Sequence, residues 1–318
     1  MTHGILARKD NTLIYYNENV KTTLPISQIQ DIHAIGKVTI KSGALSLMAE
    51  KNIPVHFYNK YQTNIGSFYP RNNNTNGTII IAQTRAYIDP SKRSHIARSI
   101  VLSTKHNILH ILHHYAKNDK EILEAINKIQ EIKIRETTNI NKIMSDEAQV
   151  WKQYYSCFDK ITPSLPFEKR TFNPPHNEMN SLISLLHTVT YSTVLTQILQ
   201  TYLHPAISYL HQPLERRYSL ALDLSEPYKP LLAHRIIFRM INRKQITKNS
   251  FVKEDTIRLK EQALKKILIE YQKQLDSTVS SKKLKRKVSY RFLIKQDAHK
   301  LVKFVLEDTK KFSAYKQK

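Results

Sequence analysis

Glu147, His211, Asp223 and Glu226 are the residues of this chain whose types and neighbours could do chemistry. Read as a helix, 144–158 carries Met144, Ala148, Trp151, Tyr155 and Phe158 as an apolar stripe at helical spacing. Glu147 lies three residues after Met144 and four before Trp151, so it projects onto that stripe or its edge. An ionised carboxylate facing apolar neighbours is costly unless a cation or a metal meets it. Asp146 should point away and be ordinary surface. The bland alternative for Glu147 is a rim carboxylate paired with a lysine. His211 follows Tyr209-Leu210, and the run Leu222-Asp223-Leu224-Ser225-Glu226-Pro227 places two acids three apart on one helical face among apolar residues. Two such carboxylates repel unless one protonates or a metal binds. Carboxylates and one imidazole without thiolate suit Mg²⁺ or Mn²⁺ better than zinc, and such a site suits phosphodiester chemistry. A single His on an apolar flank is otherwise a satisfied core residue, as His113-His114, with no constellation around them, illustrate among 14 histidines.

The elements that must bring these residues together read as two regions. Five glycines, Gly4, Gly36, Gly43, Gly66 and Gly77, all fall in the first quarter of 318 residues. There is no GxGxxG and no GxxxxGK[ST], which excludes Rossmann and Walker phosphate cradles. Thr12 to Tyr16, Val38 to Ile40 and Ile53 to Tyr58 are β-branched or aromatic runs punctuated by Gly, Asn and Pro, the pattern of a small sheet or sandwich. One helix interrupts them from Ser42 to about Lys51. The polar stretch 71–77 is the linker. From about residue 80 the period is helical, with 118–158 and 255–274 as long amphipathic stretches separated from others by proline clusters. The expected fold is α+β: a small N-terminal β-sheet or sandwich domain, 1–78, followed by a larger all-α domain, 79–318.

Lys plus Arg is 50 against 26 acids, a net charge of +24, and 41% of residues are hydrophobic, enough for a core. A chain this basic calls for a polyanion, and nucleic acid comes first. The charge is uneven: 276–318 holds 13 Lys or Arg and four acids, and 282–291 alone holds six basic residues and no acid. That segment is either a solvated basic tail or a phosphate-contacting element with Tyr290 as a stacking surface. No run approaches the length of a membrane span, the start shows no signal-peptide core, and Cys157 alone excludes an internal disulfide or a Cys-based zinc site. A cytosolic location is expected.

An ordered series of segments resembles the CRISPR-associated integrase/endonuclease family, the metal-dependent protein of spacer acquisition. It comprises His33-Ala34-Ile35-Gly36-Lys37-Val38-Thr39-Ile40, Asn52-Ile53-Pro54-Val55-His56-Phe57, Arg85, Ala97-Arg98 and Ile143-Met144-Ser145-Asp146-Glu147-Ala148 with a later Tyr154 or Tyr155. It continues through Phe167-Glu168-Lys169-Arg170, Pro174-Pro175, Asn180, Pro205, Leu210-His211, Leu222-Asp223-Leu224-Ser225-Glu226-Pro227, Ile241-Asn242-Arg243 and Val288-Ser289-Tyr290-Arg291 with Leu293-Ile294. The resemblance implies a metal held by Glu147, His211 and Glu226, with Asp223 close by as an additional ligand. It implies a β-rich N-terminal domain, an α-helical catalytic domain, a homodimer, and a small partner adaptation protein completing the integration complex. Double-stranded DNA would be the substrate, as a prespacer fragment and a CRISPR repeat target, in the cytoplasm of a prokaryote. A DNA 3′-hydroxyl would attack a phosphodiester, and Arg170, Lys229, Arg235, Lys285, Arg286, Lys287 and Arg291 would contact DNA. The chain departs from the family pattern where glycine often stands, at Tyr202 and Ser208, so the loop before His211 must turn without it. It departs again at Ala233-His234, where an acid often precedes Arg235.

Three other readings compete. An inert nucleic-acid-binding protein would use the same charge without a metal. A tyrosine recombinase is suggested by the HxxR spacing of His95 and Arg98, a match that a chain this rich in histidine gives about once by chance. A membrane-surface protein would need a sustained apolar face in the basic segment, which the sequence lacks.

Overall fold

The computed structural model describes residues 4–59, 61–70, 76–117, 119–171, 174–215, 217–281 and 284–318. Most of the proposed linker, 71–75, and Lys282 and Lys283 of the basic segment lie outside them. Strands β1 (Gly4–Lys9), β2 (Thr12–Tyr16), β3 (Lys21–Pro25), β4 (Ile32–Ile35) and β5 (Val38–Ile40) come first. Helix α1 (Ser42–Glu50), β6 (Val55–Tyr58) and β7 (Asn64–Phe68) complete the N-terminal region. They form two sheets. In one, of order β3-β2-β1-β5, β5 runs parallel to β1. In the other, of order β4-β6-β7, β4 runs parallel to β6 and β7 antiparallel. Gly36, at φ 94°, turns the chain from β4 into β5, leaving one sheet for the other. Leu6, Leu13, Ala44, Leu47, Met48 and Val55 close a core of their own between the strands and α1.

The remainder is mostly helical, and two small hairpins correct the expectation of an all-α domain; its first helices are α2 (Gly77–Ile88), α3 (Pro90–Ala116), α4 (Lys120–Glu131), α5 (Ile140–Tyr155), α6 (Phe158–Ile161), α7 (Glu178–Leu199), α8 (Ser219–Ser225) and α9 (Arg235–Asn242). A small hairpin, β8 (Phe251–Lys253) with β9 (Ile257–Leu259), precedes α10 (Glu261–Asp276). A second hairpin, β10 (Thr278–Ser281) with β11 (Arg286–Ser289), leads into α11 (Tyr290–Val305). The two long stretches expected as helix are therefore divided. An extended run at 132–139 parts α4 from α5, and Ile257 belongs to β9 rather than to the helix that begins at Glu261. Helix α3 starts on Pro90 with the Asp89 carboxylate capping the amides of Ser91 and Lys92 at 2.8 and 3.0 Å.

Helix α7 corrects one expectation. Over its 22 residues it is long and apolar enough to cross a membrane, but 72% of its most apolar stretch is buried inside the protein. It is buried on nearly every side, its small polar residues Ser192, Thr193 and Thr196 included, as the central helix of the fold. The sheet carrying β6 docks on it through hydroxyls: His56 Nε2 meets Thr196 Oγ1 at 3.0 Å, and Tyr58 donates its hydroxyl to Ser192 Oγ at 3.1 Å. Ile35 and Tyr58 join the main helical core across this junction.

Candidate active site

The buried face of α5 consists of Ile143, Asp146, Glu147, Val150 and Tyr154. That face lies about one residue off the expected stripe, since Ala148 is exposed and Met144 and Trp151 are only half-buried. Both acids are therefore inside, which corrects the reading of Asp146 as ordinary surface. Arg135, in the extended run before α5, folds back over Asp146. Its backbone amide and Nε donate to Oδ2 at 2.9 and 3.0 Å, and Nη2 donates to Oδ1 at 2.5 Å. Glu147 has no such neighbour: it is 7% exposed and its Oε1 is buried without a hydrogen-bond partner.

His211 sits in the loop that follows α7. Asp223, fully buried on α8, gathers that loop. Its Oδ2 accepts from the amides of Tyr209 and Leu210 at 2.6 and 2.9 Å. Its Oδ1 accepts from the amide of His211 at 2.9 Å and bonds the same residue's Nδ1 at 2.8 Å. Ser208 Oγ closes the turn on the His211 carbonyl at 2.6 Å. No described residue of the loop has a positive φ, so the turn forms without glycine by wrapping its amides around a carboxylate. Four donors fill the acceptor capacity of Asp223. Asp223 therefore orients the loop and the ring: it holds Nδ1 of His211, so Nε2 is the ring nitrogen that a ligand could reach.

From α8 the helix continues without a break but changes pitch. Glu226–Tyr228 form a 3₁₀ turn and Lys229–His234 a π turn before α9 resumes the α-helical period. Pro227 and Pro230 explain this, because neither can donate the amide that a regular helix needs. The irregularity places Glu226, 4% exposed, beside Lys229, whose Nζ lies 2.5 Å from its Oε1. The three-residue spacing of this pair is a signal visible in the sequence, although Lys229 was expected there only to contact DNA.

These residues share one electrostatic environment. Burial first, and the charge of Glu226 second, push the Glu147 carboxyl up to about 8, against the opposing pull of His211 and Lys229. Burial works against the His211 imidazolium, but the Asp223 hydrogen bond and the charges of Asp223, Glu226 and Glu147 outweigh it and raise its pKa. Tyr155, raised by burial, lies within reach of Glu147 and Glu226 and bonds Arg170. Arg170 is itself pinned to Asn180 Oδ1 and Ser184 Oγ at 3.0 and 3.1 Å. Behind them His187 and His234 bond through their Nε2 atoms at 2.8 Å, and burial holds both well below the ordinary histidine value. A neutral imidazole thus stands where the sequence lacks the expected acid. Among the described residues, no three His, Cys, Asp or Glu side chains close into a metal-binding group. The donor set nevertheless fits a hard divalent cation: an unpartnered carboxylate oxygen on Glu147, a second carboxylate neutralised by a lysine, and an imidazole with its second nitrogen oriented.

The other basic residues are scattered. Arg235 bonds Tyr290 and faces His110 and Tyr115 rather than the carboxylates. Lys285, Arg286 and Lys287 are exposed on the β10–β11 hairpin, with the Arg286 guanidinium 5.4 Å from the Phe292 ring centre. Arg291 is corrected: it is 7% exposed and ion-paired to Asp276 at 3.1 Å, so it is not part of that surface. Tyr290 is likewise buried and offers no stacking face. The HxxR pair is spent on structure, His95 accepting from the Phe312 amide and Arg98 pairing with Glu136.

Residues 1–273 match the family model described as CRISPR associated protein Cas1. A CRISPR-associated endonuclease Cas1 from Fusobacterium nucleatum is 38% identical over 314 residues, 97% of this chain and 93% of that protein. A Cas1 structure from Thermotoga maritima superposes with a TM-score of 0.84 at 31% identity, covering 100% of this chain and 98% of the other. Two more distant structures share the fold. A casposase bound to integration product gives a TM-score of 0.81 at 17% identity, over 98% of this chain and 90% of that one. A Cas6-RT-Cas1–Cas2 complex gives 0.83 at 22% identity, over 100% of this chain and 36% of that one. On the full-length match and the shared fold, the chain belongs to the CRISPR associated protein Cas1 family.

Proposed function

We propose that Glu147, His211 and Glu226 hold a divalent metal, Mg²⁺ or Mn²⁺, at the centre of a DNA endonuclease/integrase of CRISPR spacer acquisition. The observation that carries this is the buried, unpartnered Oε1 of Glu147 in the field of Glu226 and His211. An unsatisfied buried carboxyl oxygen is a cost that a fold without a use for it avoids. When bound, the cation polarises the phosphoryl oxygen and stabilises the attacking and leaving oxygens of a transesterification. Asp223 fixes the His211 tautomer. Lys229 ion-pairs with Glu226 and supplies positive charge for a phosphate beside it. Arg170, locked by α7, and Tyr155 line the approach from the other side. The substrate is double-stranded DNA, whose 3′-hydroxyl joins a CRISPR repeat, and hydrolysis at the same site gives endonuclease activity. We place the protein in the prokaryotic cytoplasm, as a homodimer through the 1–78 domain, with a small Cas2-type partner completing the complex. The test is metal binding itself. Glu147→Gln and Glu226→Gln should each abolish Mn²⁺ binding in calorimetry and strand joining in a gel assay while DNA affinity stays near that of the parent. Undiminished Mn²⁺ binding in both would refute the site.

A further inference from the structure

Helix α3 carries a polar row at four-residue intervals, His95, Ser99, Ser103 and Asn107, and an extended segment, 312–317, lies along it. The amides of Phe312 and Ala314 donate to His95 Nε2 and Ser99 Oγ, each at 3.0 Å. Ser103 Oγ donates to the Tyr315 carbonyl at 2.5 Å, and the Gln317 amide donates to Asn107 Oδ1 at 2.7 Å. The last rung does more than hold this strap. Asn107 is fully buried, and its Nδ2 donates both to the Tyr315 carbonyl at 3.1 Å and to the Pro227 carbonyl at 2.8 Å. A second buried side chain is shared in the same way. Asp297 Oδ2 accepts the Tyr315 amide and the Tyr228 hydroxyl, each at 2.8 Å. The rings of Tyr228 and Tyr315 lie nearly parallel, 7° apart with centres at 6.0 Å. Pro227 and Tyr228 are the two residues after Glu226, in the turn where the prolines have interrupted the regular helical bonding.

We propose that segment 312–317 is a brace that positions Glu226, acting through Asn107 and Asp297 as positioning residues. A short turn containing Pro227 and Pro230 cannot fix its own pitch by backbone hydrogen bonds alone. Its carbonyl and its tyrosine are instead fixed from outside: by Asn107, whose other bonds go to the strap, and by Asp297, whose Oδ2 is shared with the strap while its Oδ1 accepts from Lys300. This inference rests on Glu226 being a metal ligand, and outer partners of ligands typically set metal affinity by about 10–100-fold.

The test uses the full chain without DNA, titrated with Mn²⁺ and read by the electron paramagnetic resonance of the free ion. Asn107→Leu and a chain ending at Lys311 should each bind Mn²⁺ about tenfold more weakly. Saturating peptide of sequence 312–318 should restore the shortened chain. Tyr228→Phe, which removes a single hydroxyl, should give a smaller loss in the same direction and decides the matter if Asn107→Leu does not fold. DNA affinity of Asn107→Leu should be that of the parent, since no charge is lost. Unaltered Mn²⁺ affinity in folded Asn107→Leu and Tyr228→Phe, with the affinity lost in Glu226→Gln, overturns the brace alone. Unaltered affinity in Glu226→Gln as well overturns the metal-site reading and the brace with it.

Discussion

Asp146 and Glu147 are neighbours on α5, 4% and 7% exposed, and their surroundings are opposite. Around Asp146 the chain has built a complete partner, with three donors from Arg135 on its two oxygens. Around Glu147 it has left an oxygen bare and placed a second carboxylate in the same field. Asp223 resembles the first case, with four donors, and Glu226 lies between the two, with its lysine. Burial of an acid therefore marks nothing by itself in this protein. What separates Asp146 and Asp223 from Glu147 is whether the fold has finished solvating them.

The sharpest way to break this comparison is to neutralise the neighbours one at a time. Glu147→Gln should lower strand joining by more than the ~10–100-fold that outer partners of a ligand cost. It should leave the melting temperature equal or higher, because the cost of ionising a buried carboxyl without a partner is removed. Asp146→Asn should do the reverse: a melting temperature lower by a few degrees, from a broken network, with activity in the surviving folded protein close to the parent's. Paired melting curves and joining assays check both. Equal melting temperatures for the two variants would dissolve the distinction.

A second, intermediate effect concerns buried groups that are satisfied only when neutral. His56 has both ring nitrogens bonded, to Ser67 and Thr196. Burial and the neighbouring His33 hold its pKa to about 3, with Asp31 pulling the other way. Above the ordinary histidine value of about 6.5 neither the folded nor the unfolded state takes the proton, and its contribution to stability is complete. Between about 6.5 and 3 only the unfolded chain is protonated, so stability falls as pH falls. His187 and His234 act in the same sense. Urea unfolding at about pH 7.5 and pH 5 should show a loss of roughly 1.4 kcal/mol per pH unit for each histidine that titrates only when unfolded. His56→Gln should reduce that slope. An unchanged slope would show that this junction admits a charged imidazole.

The smallest effect belongs to the exposed hairpin, where charge has no buried partner at all. Changing Lys285, Arg286 and Lys287 to Ala should weaken DNA binding at low salt for all sequences alike. The log–log salt slope should fall by up to about three, at ~0.9 for each phosphate that is no longer neutralised. Filter binding across a salt series measures it, and an unchanged slope would take the hairpin out of the DNA path.

Local pattern accounts for much of this architecture. The strands at Thr12–Tyr16 and Val38–Ile40 and the helix beginning at Ser42 follow from residue type and spacing within each run. Glu147 was legible because helical period is local, though the stripe was misphased by one residue. Asp146 was not legible, because its partner Arg135 comes from an extended run outside the helix. The role of Asp223 was hidden for a related reason. Its four donors belong to a loop 12–14 residues away, and no periodic pattern announces a carboxylate that organises backbone amides. The brace on Pro227 joins residues near 107, 227, 297 and 315, which only the tertiary fold brings together.

The π turn at Lys229–His234 has a consequence for how this helix tolerates change in length. A π turn holds one residue more per turn than the α-helix around it. Deleting one residue there removes the surplus, so the segment would relax to regular pitch while α9 keeps nearly the same face toward the core. Deleting one residue from α8, a regular helix, finds no such surplus, and each residue there carries about 100° of rotation. Ile236, Ile237, Phe238, Met240 and Ile241, which α9 now buries, would then sweep toward solvent, and Arg235 and Arg239 would sweep inward. The stretch Lys229–His234 is therefore where this continuous helix can lose a residue and stay in phase with the core.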